Sequence, residues 1–310
     1  MERNLHVKIA YWYYTLGMTQ DEIAKRLSFT RQRVNQMIHA LPDMGIVSVN
    51  IHGYERDHIE LESRMEERFG LKEALVATDY GERETAVYKV ANVAAQYLDE
   101  TLQQGDVIGV SWGKTLAEVV KQMSFRRRNE CRVVQLMGVQ NEGKMVEKAD
   151  EIARELANKL DCPSYMFYAP VVVEYAKTKE WLLRERCTRS SYEMMKQCNV
   201  AVLGVGELTE SSTMCTRNYI TKEDIQVLRE QGFVGDIAMN PVRRDGSYED
   251  CPLTERLLTS DMECLKRIDN TVVVATGEEK AEAIRAVLFT GCVDTLIIDE
   301  TTARKVMEDQ

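Results

Sequence analysis

Between Val7 and Leu41 apolar residues recur at helical spacing in three runs, and the polar residues between them mark where each run starts and stops. Ile9, Trp12, Tyr13 and Leu16 form the inner stripe of a first helix within Val7–Gly17. Thr19 and Glu22 make a Thr-x-x-Glu capping box, so a second helix starts at Gln20 with Ile23, Ala24 and Leu27 facing inward. Ser28 and Phe29 supply a turn, Thr30 caps a third helix, and Val34, Ile38 and Leu41 point it into the core. Gly45 to His52 then alternates like a short strand, and Tyr54 to Phe69 is a charged helix with Leu61, Met65 and Phe69 at four-residue steps. That narrow stripe fits either a dimer seam or packing on the chain's own body.

Beyond it, short β-rich runs alternate with amphipathic helical patterns. The strands are expected at 74–77, 107–111, 133–137, 165–168, 200–204, 235–239, 272–275 and 295–298. Helices are expected at 84–102, 116–123, 146–160, 192–198, 223–231, 261–267 and 279–288. This order predicts an α/β body with a mainly parallel, doubly wound, Rossmann-like sheet, in which ligands bind at the carboxyl ends of strands. Three segments result: 1–53 as a winged helix-turn-helix head, 54–70 as a connecting helix, and 71–310 as an effector-binding and oligomerisation body.

The polar face of the third helix changes the picture. Arg31, Gln32, Asn35, Gln36 and His39 lie opposite its apolar stripe. Arginine bonds guanine O6 and N7 in bidentate fashion, and Asn or Gln does the same to adenine, so the face suits a DNA major groove. With the capping residues and Arg33, the candidate DNA-contacting set is Thr19, Gln20, Thr30, Arg31, Gln32, Arg33, Asn35, Gln36 and His39. An ordinary helical hairpin is the alternative. Residues 1–52 carry a net charge of about +2 against about −12 for the remainder, which argues against nonspecific polyanion binding.

At 310 residues the chain has room for about two domains. All eight cysteines lie between Cys131 and Cys292 without a C-x-x-C pair, so no metal site or disulfide framework is expected, and no cofactor is called for. No apolar run is long enough to span a membrane and no signal sequence opens the chain, so a cytoplasmic protein is expected.

The sharpest ligand motif is VIGVSWGKTLAEVV, where an apolar strand ends at Ser111, turns through Trp112 and Gly113, and enters a helix with Lys114 and Thr115. Backbone N–H groups, a helix dipole, a hydroxyl and an ammonium converge there, which suits a phosphate. It is not a Walker A loop, because Ile108 stands five before Gly113. Other strand ends fall in step: Gly138 with Gln140 and Asn141, then Gly204 with Gly206 and Glu207, then Gly277 with Lys280. Singly, each is as readily a tight turn. Together they predict one pocket, with Lys114 and Lys280 serving a phosphate and Gln140, Asn141 and Glu207 bonding hydroxyls.

These motifs together resemble the SorC family of bacterial sugar-responsive transcriptional regulators over essentially the whole chain. In the head the likeness runs through Thr19, Gln20, Ile23, Ala24, Leu27, Thr30, Arg31, Val34, Ile38 and Gly45-Ile-Val. In the body it lies at GDVIGVSWGKTL, LGVGEL, GFVGDI, ATGEEKAEAI and LIIDETTA. The resemblance implies a winged helix-turn-helix, an effector domain related to sugar-phosphate isomerases and deaminases, a phosphorylated sugar as effector, and homodimers or homotetramers on double-stranded operator DNA. Pro42 stands where the family's recognition helix runs on, so that helix is expected to end earlier. In MNPVRRDG, Arg243 takes the place of a sugar-contacting aspartate, with Asp245 two residues on. Arg243 and Lys114 then favour a more anionic effector, such as a bisphosphate or a carboxylate.

The rival reading is a sugar-phosphate isomerase, deaminase or aldolase with an accessory head. His6, His39, His52 and His58 all precede residue 59, leaving the body without an imidazole for acid–base work, so a non-enzyme is expected. Lys114, Lys144 or Lys280 could still attack a carbonyl.

Overall fold

The computed structural model describes residues 2–47, 56–78, 83–139 and 148–308. It divides the chain into two compact units, Met1–Arg56 and Asp57–Gln310. The strand expected over 45–52 lies largely outside the described residues, as do Gln140, Asn141 and Lys144.

In the first unit, α1 (Glu2–Ala10) passes into a π-helical segment, Tyr11–Thr15, followed by α2 (Gln20–Leu27) and α3 (Arg31–Ala40). Thr19 accepts from the Glu22 N–H while the Glu22 carboxylate accepts from the Thr19 N–H, completing the capping box. Ser28 turns in the left-handed region at φ 54°, and Thr30 caps α3 by accepting from the Arg33 N–H. Ile9, Ile23, Val34, Ile38 and Leu41 share one small core. Leu16, expected inside, is 54% exposed, because the π segment shifts the helical register before reaching it. α3 stops at Ala40, two residues before Pro42; Leu41 keeps helical backbone, but Pro42 has no N–H with which to continue the hydrogen-bond ladder.

In the second unit, the helix α4 (Arg56–Phe69) precedes β1 (Glu73–Ala77), α5 (Arg83–Thr101), β2 (Val107–Val110) and α6 (Lys114–Gln122). There follow β3 (Arg132–Gln135), α7 (Ala149–Leu160), the short β4 (Ser164–Tyr165), α8 (Ala176–Arg184), α9 (Arg186–Met195) and β5 (Val200–Leu203). β6 (Val205–Glu207), α10 (Thr213–Thr216), α11 (Lys222–Glu230), β7 (Phe233–Ile237) and β8 (Asn240–Arg243) come next. α12 (Met262–Leu265), β9 (Asn270–Ala275), α13 (Ala281–Phe289), β10 (Thr295–Asp299) and α14 (Glu300–Met307) close the chain.

Seven strands pair in parallel in the order β1-β10-β9-β5-β2-β3-β4. β2 and β5 are buried along their whole length, as strands covered on both faces must be. Successive residues of β9 serve opposite cores. Val272 and Val274 pack with Val90, Leu98 and Leu116, while Val273 and Ala275 pack with Leu61, Ile284 and Val306. Leu61, Met65 and Phe69 are buried in that second core, so the stripe on α4 is spent within its own unit rather than left as a seam. Glu62 and Glu66 of the same helix accept from the Val76 and Ala74 N–H groups at 2.8 and 2.9 Å, along the outer edge of β1.

Several expectations are corrected. The run 235–239 is not a strand of the parallel sheet; β6, β7 and β8 form a separate antiparallel sheet, and β7 starts at Phe233. The run 165–168 shrinks to the two residues of β4, and the helix expected over 261–267 keeps one turn. The helix expected over 192–198 is α9, displaced toward the N-terminus, with the unanticipated α8 ahead of it. No residue of α8 is fully buried, and only Leu182 and Leu183 near its end pack against the core, too short a stripe to set a helical period.

Candidate functional site

The exposed face of α3 carries Arg31, Gln32, Arg33, Gln36 and His39, with Asn35 half-buried. Arg33 lies over the Phe29 ring at 4.2 Å, and Arg31 is 3.9 Å from Asp21. The Gln20 side-chain amide donates to the Asn35 carbonyl at 3.0 Å, linking the start of α2 to the middle of α3. Thr19 and Thr30 are engaged as helix caps.

In the second unit the strand order reverses between β2 and β5, and a crevice is expected outside the carboxyl ends there. A cavity of about 480 Å³ opens at this place. Gly113 enters α6 at φ 126°, a conformation L side chains rarely adopt, and as N-cap it lends the first turn no side-chain acceptor. The first-turn N–H groups and the positive end of the dipole are therefore available to an anion. Trp112, Gly113, Lys114 and Thr115 line this side, with Trp112 packed edge-on to Tyr219 at 4.7 Å between centroids. Gly204, Gly206, Glu207 and Lys280 line the cavity from the ends of β5 and β6 and from the turn after β9.

Eight of the expected effector contacts thus come together, and others do not. Ser111 is 1% exposed beneath the cavity, where its hydroxyl accepts from the Gly204 N–H at 3.4 Å. Gly138 sits against the backbone of residues 169–171 and donates its N–H to Leu258, a packing position. Arg243 and Asp245 are outside the cavity. The Arg243 guanidinium lies over the Phe233 ring at 4.0 Å and donates to the carbonyls of Gln231 and Glu249, while Asp245 accepts from Ser247. The register of β7 with β8 places Arg243 opposite Phe233, and the ring draws the guanidinium outward.

What the sequence reading missed is Asp236. It is 3% exposed, pairs in register with Gly206 across β6 and β7, and lines the cavity. Its Oδ2 accepts from the Met239 N–H at 3.0 Å, tying down a turn in which Ala238 and Met239 both have positive φ. Its Oδ1 has no hydrogen-bond partner among the described residues. A Cβ at position 206 would stand 2.1 Å from that oxygen, so only glycine leaves room for the carboxylate. Burial pushes the Asp236 carboxyl up to about 6, opposed by the Met239 N–H and the charge of Lys280. Ser212, Thr213 and Thr276 add hydroxyl groups to the wall.

A second, more open depression of about 640 Å³ involves Tyr168, Asn218, Asp224 and Arg256. Its one lining arginine is already bonded to Asp224 at 2.5 Å, and none of the switch-point turn residues Gly113, Lys114 and Gly204 lines it. Among the described residues no group of side chains is arranged to hold a metal ion, and no helix is long and apolar enough to cross a membrane.

A ligand cavity at the switch point of a parallel sheet, following a small helical unit, defines the class: a ligand-binding regulator of transcription. Residues 55–308 match the family model Sugar-bind, described as "Putative sugar-binding domain", and the chain belongs to this family. It is 27% identical to the deoxyribonucleoside regulator of Bacillus subtilis (strain 168), over 99% of this chain and 98% of that protein. It is 28% identical to the erythritol catabolism regulatory protein EryD of Brucella abortus (strain 2308), over 98% of this chain and 96% of that one. The crystal structure of the full-length sorbitol operon regulator SorC from Klebsiella pneumoniae shares the fold, with a TM-score of 0.78 at 24% identity, covering 98% of this chain and 99% of that one. The resemblance to the SorC regulators therefore holds along the chain.

Proposed function

We propose that this chain is a cytoplasmic, DNA-binding regulator of carbohydrate metabolism that is switched by a phosphorylated sugar and catalyses no reaction itself. The observation that carries the effector half is the uncapped start of α6 opening into the switch-point cavity beside Lys114. For the head we read α2 and α3 as a helix-turn-helix, with Arg31, Gln32 and Gln36 reading base edges and the backbone near Thr19 and Thr30 meeting phosphates. A homodimer or homotetramer would match two operator half-sites.

Coupling has a candidate route within the body. The cavity's Thr276 adjoins Gly277, whose N–H donates to the Thr302 hydroxyl of α14 at 2.9 Å. Glu300, at the start of α14, meets the buried His58 of α4 at 3.1 Å, and Arg304 and His58 hold its carboxyl below the usual range. Effector contacts that move the Gly277 turn would thus reach the helix leading back toward the head.

The test pairs thermal stability with DNA selection. A saturating effector at about 100 times its Kd adds about 2.7 kcal/mol, and the full chain should enrich a two-half-site motif from random duplexes. Enrichment that the protecting sugar phosphate abolishes or strengthens supports the reading. Protection accompanied by turnover of the compound favours the enzyme, and no enrichment removes the DNA half.

A further inference from the structure

The first turn of α2 touches the polar face of α3 at two points. Asp21 stands 3.9 Å from Arg31 with both side chains well exposed, an ion pair that solvent screens and that leaves Arg31 able to turn. The second contact is of another kind. The Gln20 NH2 donates to the Asn35 carbonyl at 3.0 Å, and both side chains are half-buried. Water competes less for a bond so placed.

What this bond fixes is the order of the two polar atoms of Asn35. An asparagine amide turns about a broad, roughly two-fold torsion, so in water it offers its oxygen and nitrogen either way round. The donor from Gln20 commits the Asn35 oxygen to the α2 side and its NH2 to the other. Neither atom is used up, because the carbonyl keeps a second lone pair and the NH2 carries two hydrogens. The major-groove edge of adenine presents N6–H2 as donor and N7 as acceptor, the complement of an amide whose order is set in advance. Gln32 and Gln36 are exposed and one rotatable bond longer, so the DNA itself must order them.

We propose that Asn35 is a specificity-determining residue that reads an adenine, and that Gln20 is a positioning residue that sets the Asn35 amide for it. This rests on reading α2 and α3 as a helix-turn-helix. It adds Asn35 to the base-reading set of Arg31, Gln32 and Gln36, with Gln20 acting through Asn35 rather than on a base.

The experiment selects bound sequences from random duplexes with the full chain and with Asn35→Ala, Gln20→Ala, Gln20→Glu and the double alanine variant. It reads the base preference at every position of the enriched motif. The parent should show an adenine in each half-site whose preference falls about tenfold in Asn35→Ala, the discrimination of one bidentate amide. Gln20→Ala should relax the same position about fivefold and leave the other positions as they are, and the double variant should relax it no further than Asn35→Ala alone. Gln20→Glu keeps the size of the side chain but cannot donate, so it should relax that position too. Preferences retained elsewhere in the motif show that each variant head is folded.

A parent preference for a base other than adenine at that position overturns the inference, as does a motif that Asn35→Ala leaves intact. So does a position that Asn35→Ala relaxes while both Gln20 variants leave it unchanged. Each of these outcomes leaves the helix-turn-helix standing, whereas a parent that enriches no motif removes both.

Discussion

The α3 face and the switch-point cavity hold their polar groups in opposite ways. On α3, Arg31, Gln32 and Gln36 project into solvent, where each keeps its hydration until a partner arrives. At the cavity wall Asp236 is almost fully buried, and one of its oxygens has no hydrogen-bond partner among the described residues. A surface that meets a polymer can be inexpensive to the fold because its partner brings its own ordered array of acceptors and donors. A pocket for a small molecule must be shaped and desolvated in advance, and the fold bears that cost.

The largest expected effect tests that cost. The folded pKa of Asp236, about 6, lies above the ordinary aspartate value of 3.8. Its burial penalty is therefore fully present above about pH 6 and is relieved as the pH falls from there toward about pH 4. Asp236→Asn lacks this penalty, so without ligand it should be more stable than the parent at pH 8 by up to about 3 kcal/mol, with the gap closing by pH 4. Urea denaturation of both proteins across that range measures it; a variant that is less stable at pH 8 would show the carboxylate to be well solvated or paired. Next, Arg31→Ala or Gln36→Ala should weaken operator binding by about 1–3 kcal/mol and leave effector protection intact, as read by DNA mobility shift and thermal shift on one preparation. Loss of effector binding with normal DNA binding would undo the assignment of roles. Thr30→Ala, which removes the α3 cap, should cost the head about 1 kcal/mol of stability, followed by hydrogen exchange of the α3 amides. The smallest effect is Arg243→Ala, for which effector affinity should not change; a marked loss would return that guanidinium to the site.

Much of this was legible. The capping box, the turn at Ser28, the Thr30 cap and the Val34-Ile38-Leu41 stripe are local, so spacing alone was enough to find the first unit's helices. The α6 turn was equally plain, since an all-apolar strand running into Gly-Lys-Thr has few other interpretations. Asp236 was not, because its position depends on β6 pairing antiparallel with a strand roughly thirty residues later, and such pairing leaves no periodicity behind. Arg243 failed for the same reason. Its place in the motif was readable, but which face of the hairpin it takes is decided by Phe233.

The two glutamates of α4 have a further consequence. An open sheet exposes unpaired backbone along its outer strands, and such edges invite other chains to extend the sheet. At β1 the edge amides of Ala74 and Val76 are already taken by Glu66 and Glu62, and burial pushes the Glu62 carboxyl up without breaking that bond. At the opposite border β4 offers two residues. Both borders of the seven-stranded sheet are thereby poor templates for another strand, which is how an open sheet resists the edge-to-edge stacking that turns β-rich proteins into fibres.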